Sequence, residues 1–153
     1  MFKSFLTFIF LTTMIIVSCK KDPILVDPRP QPVIDDSLIK NYIVKNNLTV
    51  IKHSSGLYYL IKTEGTGANP AASATVTVNY KGYLLNGNKF DGNDNITFPL
   101  SNLIQGWKIG IPLIKKGGDI KLLLPSALAY GPSGSGPIGP NEVLVFDIQL
   151  INF

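Results

Sequence analysis

Leu103-Ile104-Gln105-Gly106-Trp107-Lys108-Ile109-Gly110-Ile111-Pro112-Leu113-Ile114-Lys115-Lys116-Gly117-Gly118 is the stretch on which the fold turns. Ile104, Trp107, Ile111 and Ile114 recur at alternating helical spacings, so a single short helix is predicted from Ile104 to Ile114, ended by the glycine pair. To either side, Leu57 to Ile61, Thr75 to Tyr80, Ile120 to Leu124 and Leu144 to Ile148 are β-branched or aromatic segments bounded by Gly, Pro and Asn, the composition of strands. Leu85-Asn86-Gly87-Asn88 tolerates positive φ at little cost and should close a hairpin between Tyr80 and Phe90. One short helix beside four or five strands is an α+β domain. Such folds host many activities, so periodicity by itself says nothing of function.

Upstream, Asp35-Asp36-Ser37 precedes Leu38, Ile39, Tyr42 and Ile43, which predicts a short capped amphipathic helix on the domain's edge. Met1-Phe2-Lys3 opens the chain with a positive charge, and an almost unbroken apolar run follows from Phe5 to Val17, long enough for a leader and short for a membrane span. Ile16-Val17-Ser18-Cys19 closes that run and resembles the lipobox of bacterial lipoproteins, an aliphatic residue three before the cysteine and a small one just before it. The resemblance implies cleavage after Ser18 and lipid attachment at Cys19. Two or three acyl chains then hold a protein firmly, at roughly 0.8 kcal/mol per buried methylene. Pro23, Pro28, Pro30 and Pro32 read as an extended tether. The expected organisation is a leader over 1–18, a lipid-anchored proline-rich linker over 19–35, a short helix and lead-in over 36–56, and one domain over 57–153.

Composition removes several function classes. A 153-residue chain carries one compact core plus appendages. The net charge of +4 comes from scattered lysines that do not interleave with aromatics, so nucleic acid is not an expected partner. One cysteine and one histidine leave no metal cluster and no cofactor to expect, and His53 sits in a polar Lys52-His53-Ser54-Ser55-Gly56 turn, an exposed position unsuited to a nucleophilic relay. Gly134-Ser135-Gly136-Pro137-Ile138-Gly139 formally satisfies the dinucleotide fingerprint. It lacks the required strand-to-helix context, because prolines and a strand follow.

From about Leu57 to Phe153 the sequence resembles the FKBP-type peptidyl-prolyl isomerases, with six matching segments in the family's order. They are Val78-Asn79-Tyr80-Lys81-Gly82; Gly87-Asn88-Lys89-Phe90-Asp91; Phe98-Pro99-Leu100 with Leu103-Ile104-Gln105-Gly106-Trp107; Gly117-Gly118 before Leu124-Pro125; Leu128-Ala129-Tyr130-Gly131; and Ile138-Gly139-Pro140-Asn141 with Leu144-Val145-Phe146-Asp147. Singly, each aromatic is better explained by core packing. The ordered set implies an FKBP-like curved antiparallel sheet wrapped around one short helix, with a short N-terminal helix before it.

The resemblance also implies a site. Tyr80, Phe90, Asp91, Ile104, Trp107 and Tyr130 are the residues expected at the reacting bond, and Phe98, Leu103, Ile138 and Phe146 those expected around the substrate. Trp107 would form the pocket floor, and the neighbouring Gly106 could bare a ring face to a ligand. The implied activity is cis/trans isomerisation before proline, without cofactor or metal, on envelope polypeptides. FK506-like macrolides are a candidate ligand class, and a monomer held by its lipid to a membrane of the bacterial envelope, periplasmic or outer-membrane in location, is expected. The rivals are a pocket that binds proline segments without turnover, and a structural lipoprotein. Departures from the family are the lack of an arginine between Asp91 and Phe98, Gly139 in place of the first proline of the usual pair, and a flap one residue short. The segment between Tyr130 and Phe146 is too short for the chaperone insert of some relatives.

Overall fold

The computed structural model describes residues 27–153, so the expected leader, Cys19 and the first part of the tether, residues 19–26, lie outside the described residues. Six antiparallel strands form one curved sheet in the order β1-β2-β5-β6-β3-β4: β1 Ile51–Lys52, β2 Tyr58–Thr63, β3 Thr75–Leu84, β4 Lys89–Pro99, β5 Asp119–Leu124 and β6 Leu144–Asn152. The two-residue β1 is one strand more than the sequence reading allowed. The hairpin of β3 and β4 forms at the expected turn, with Leu84 N donating to Asn88 O and Gly87 at φ +91°.

Strand alternation sorts the side chains onto two faces. Ile120, Leu122 and Leu124 of β5 and Leu144, Phe146, Ile148 and Leu150 of β6 point to the concave face and form the main core with Val76, Val78, Trp107 and Ile111. Leu123 and Val145 point the other way and pack with Tyr58 and Val143 against Ile39.

Helix α2, Gln105–Gly110, fills the concave face and is shorter than predicted. Pro112 has no N–H to offer the carbonyl of Lys108, so the chain tightens into a 3-10 turn over Ile111–Leu113, and Ile104 stands extended (φ −59°, ψ 152°) as the residue before the helix. Gly106 does not bare a ring to a ligand. A Cβ there would lie 2.5 Å from Leu124 Cδ1, and one at Gly110 would lie 2.6 Å from Leu122 Cδ1, so the two glycines let the helix seat directly on β5.

Helix α1, Gln31–Lys45, starts within the expected tether and covers the convex face instead of an edge. Pro32 lies in its first turn, where the missing N–H breaks no helical bond, so the prolines that suggested a linker also suit a helix start. Asp35 therefore lies inside the helix and not at its cap.

Candidate active site

Where α2 meets the concave sheet near its β3–β4 end, a cavity of about 280 Å³ is lined by Tyr80, Phe90, Asp91, Phe98, Asn102, Leu103, Ile104, Trp107, Tyr130 and Phe146. The indole of Trp107, 4% exposed, is its centre: Tyr80 meets it edge-on at 5.0 Å and 80°, and Phe146 does so at 5.4 Å and 89°. Phe90 in turn stands edge-on to Phe146 at 5.6 Å and 89°. Edge-to-face contacts of this kind add about 0.5–1.5 kcal/mol beyond burial and fix ring orientation. Gly82 makes the Phe90–Phe146 contact possible, since a Cβ there would fall 2.6 Å from Phe90 Cζ and 2.9 Å from Phe146 Cε1. The indole Nε1 is buried without a hydrogen-bond partner among the described residues.

Polar groups stand at the mouth. Asp91 belongs to β4, opposite Gly82, and not to a turn. Its Oδ2 accepts the Tyr80 hydroxyl at 2.7 Å and its Oδ1 the Gly92 N–H at 2.7 Å, which fixes the carboxylate. Burial, and then the hydrogen bond to Asp91, push the Tyr80 phenol up to about 12. Burial and the Asp91 charge also raise the Tyr130 phenol, although that side chain is 37% exposed. The N–H of Ile104 precedes the helix, whose own bonding does not use it.

Nine of the ten sequence-selected pocket residues thus come together, and Ile138 does not. It is 6% exposed within the concave-face core, because Ser135 and Ile138 exchange both backbone hydrogen bonds in a tight turn that folds its side chain inward. Asn102 was missed; it is exposed, and only its place just before Leu103 and Ile104 could have pointed to it. The Gly134 to Gly139 stretch is that turn, with β6 next, and not a strand-to-helix junction. His53 is half-exposed, and its Nδ1 lies 2.9 Å from Ser55 Oγ within the β1–β2 turn, away from the cavity. A wider groove of about 820 Å³ lies between the start of α1 and Pro125–Pro132, without aromatic walls.

Comparison with known proteins agrees with this fold. The family described as FKBP-type peptidyl-prolyl cis-trans isomerase matches residues 67–151. FkpA of Escherichia coli K12, itself described as an FKBP-type peptidyl-prolyl cis-trans isomerase, is 46% identical over 103 residues, 65% of this chain and 38% of that protein. The outer membrane protein MIP of Legionella longbeachae is 43% identical over 113 residues, 71% of this chain and 48% of that one. The chain therefore spans about two fifths to one half of the length of these relatives. The crystal structure of a peptidyl-prolyl cis-trans isomerase from Pseudomonas syringae pv. tomato superimposes with a TM-score of 0.69 at 30% identity, over 83% of this chain and 98% of that one.

Proposed function

This chain belongs to the FKBP-type peptidyl-prolyl cis-trans isomerases, and on that premise we propose that it accelerates rotation about X-Pro bonds in polypeptides of a bacterial envelope. Rotation of an amide costs roughly 18–20 kcal/mol because the twisted state loses resonance. No bond breaks, so a catalyst need only bind the twisted form more tightly than either planar isomer. In the twisted amide the carbonyl is less polar and the nitrogen is a better acceptor, which suits a dry aromatic cavity.

The observation that carries this reading is the Trp107 indole held by two edge-on rings beneath a mouth with one fixed carboxylate. Trp107, Phe90 and Phe146 would receive the proline ring, with Phe98 and Leu103 flanking it. The Ile104 N–H and the Tyr130 hydroxyl would hold substrate carbonyls. Asp91, tied to Tyr80, would orient the mouth and meet the strained amide. The inward packing of Ile138 leaves it a supporting part in this scheme.

A protease-coupled isomerisation assay on the purified chain tests the reading: faster cis/trans exchange of a Pro-containing peptide supports it, and saturable peptide binding without acceleration rejects it.

Location is part of the same proposal. The lipobox-like Ile16 to Cys19 supports removal of residues 1–18 and lipid attachment at Cys19, with the tether leading to a domain that acts as a monomer. One relative is described as an outer membrane protein. Cys19→Ala should release the protein from the membrane fraction and abolish labelling by a fatty-acid precursor. FK506-like macrolides, which would compete for the same apolar floor, should inhibit.

A further inference from the structure

Asp35 is the one fully buried carboxylate among the described residues, 1% exposed, and it lies well before residue 67, where the family match begins. A buried charge is costly unless donors surround it. Here three do: Gln31 Nε2 donates to Oδ1 at 2.7 Å, and Ser126 donates to Oδ2 twice, from its N–H at 2.8 Å and its Oγ at 2.7 Å. Ser126 opens a 3-10 turn over Ser126–Leu128, so its N–H is one that the turn leaves unpaired.

That turn leads straight to the pocket. Ala129 N donates to Ser126 O at 3.0 Å, and the next residue is Tyr130, in the cavity wall. Just beyond, Gly131 O accepts Asn141 N at 2.8 Å. Tyr130 is thus held between two ties, one to Asn141 and one to α1. Around the second tie, α1 and the loop are parted by the 820 Å³ groove, with Val33 on one wall and Leu128 and Pro132 on the other. Among the described residues the two Ser126–Asp35 bonds are the only hydrogen bonds from α1 to this loop.

We infer that Asp35 is a positioning residue for Tyr130: by pinning Ser126 it sets the loop that presents the phenol to the pocket, which makes α1 a working part of the site. The kinetic consequence rests on the isomerase reading; the geometric one does not.

The test uses the full chain with Asp35→Asn, which keeps the volume and weakens the acceptor, and with Ser126→Ala, which removes one of the two bonds. Each should lower kcat/KM for a Pro-containing peptide about five- to tenfold through misplacement of the phenol. In a Tyr130→Phe background the same changes should cost less than about twofold, because the step they disturb is already lost. With tyrosine ring labelling, the Tyr130 resonances should shift in both variants while those of Tyr80 stay. An equal loss in both backgrounds would mean a merely structural role and overturn the inference, as would an unshifted Tyr130 ring. If Asp35→Asn fails to fold, Ser126→Ala decides by the same readouts. If the unaltered chain does not accelerate isomerisation, the proposed function falls, and the Tyr130 resonances alone decide this inference.

Discussion

The two faces of the sheet are built by the same strands and used in opposite ways. On the concave face α2 is short, seats on two glycines and leaves an aromatic cavity at one end. On the convex face the fifteen-residue α1 packs Ile39 onto Tyr58, Leu123 and Val145. Charge follows the same division. The convex side carries paired carboxylates: Asp36 meets Lys40 at 2.7 Å, Lys52 at 2.6 Å and the Tyr58 hydroxyl at 2.7 Å, and Asp147 meets Lys62 at 2.8 Å and Lys121 at 2.9 Å. The pocket mouth has the single Asp91, bound to a phenol and not to a cation. The difference teaches that a layer which covers a face supplies mainly stability, with Asp35 as α1's one hydrogen-bonded tie to the pocket loop, whereas one that stops short leaves a surface for chemistry.

Leu123→Ala should separate the faces most sharply. Leu123 is fully buried on the convex side, so its truncation should cost about 2–5 kcal/mol of unfolding free energy. The folded fraction should keep its kcat/KM. Denaturant titration paired with the isomerisation assay checks this, and a parallel fall in activity would show that the faces are not separable.

Phe90→Ala is the converse. The ring is half-buried at the cavity rim, so kcat/KM should fall about tenfold, or ~1.4 kcal/mol of transition-state binding, with a smaller change in unfolding free energy. Trp107→Ala is a poor probe of the same point. At 4% exposure the indole is also core, and its loss should cost about 3–5 kcal/mol, so both readouts would fall together.

Much of the concave face was legible in the sequence, and the convex face less so. Trp107, Tyr80, Phe90 and Phe146 could be found because ordered motifs fix them relative to one another, and the Asn86-Gly87 turn fixed the β3–β4 hairpin. The errors share a cause, which is that a residue type was read without its partner. Pro32 looked like a linker residue and serves as a helix start; Asp35 looked like a cap and is buried on Ser126; Gly106 looked like an opening to a ligand and is a contact with Leu124. Ile138 sits in a family-like segment, yet its turn folds it into the core. The Asp35 and Gly106 outcomes depend on contacts distant in sequence, which local pattern does not encode, whereas those of Pro32 and Ile138 follow from the local backbone path.

Asp36 sharpens the convex side of the comparison. Hydrogen bonds from Lys40, then Lys52 and Tyr58, hold its carboxyl well below the usual range. A carboxyl lowered by folding contributes stability above its unfolded value, about 3.9, and loses it as pH falls toward the folded value. Asp36→Asn should therefore cost no more than about 1 kcal/mol at pH 7, since the pairs are partly exposed. The gap to the unaltered chain should begin to narrow below about pH 4 and close as pH falls further toward the folded value, by denaturant titration at each pH. A gap that persists in acid would mean that the carboxylate is not what docks α1.

Tyr80 gives the smallest effect and the opposite sign. Its phenol is raised to about 12, by burial first and by donation to Asp91 second, against about 10 for a free tyrosine. Between those values the unfolded chain has released the proton that the folded chain still holds, so unfolding sheds a proton and stability declines with rising pH. The contribution is complete below about pH 10 and lost as pH passes the folded value. Tyr80→Phe should flatten this decline, and an ultraviolet titration of the folded chain should lose its last-ionising tyrosine. Because the phenol stays neutral through the whole neutral range, kcat/KM should be level from about pH 7 to 9. An alkaline fall in stability that is unchanged in Tyr80→Phe would place the titration elsewhere, and the Tyr80–Asp91 bond would then be a bystander at the pocket mouth.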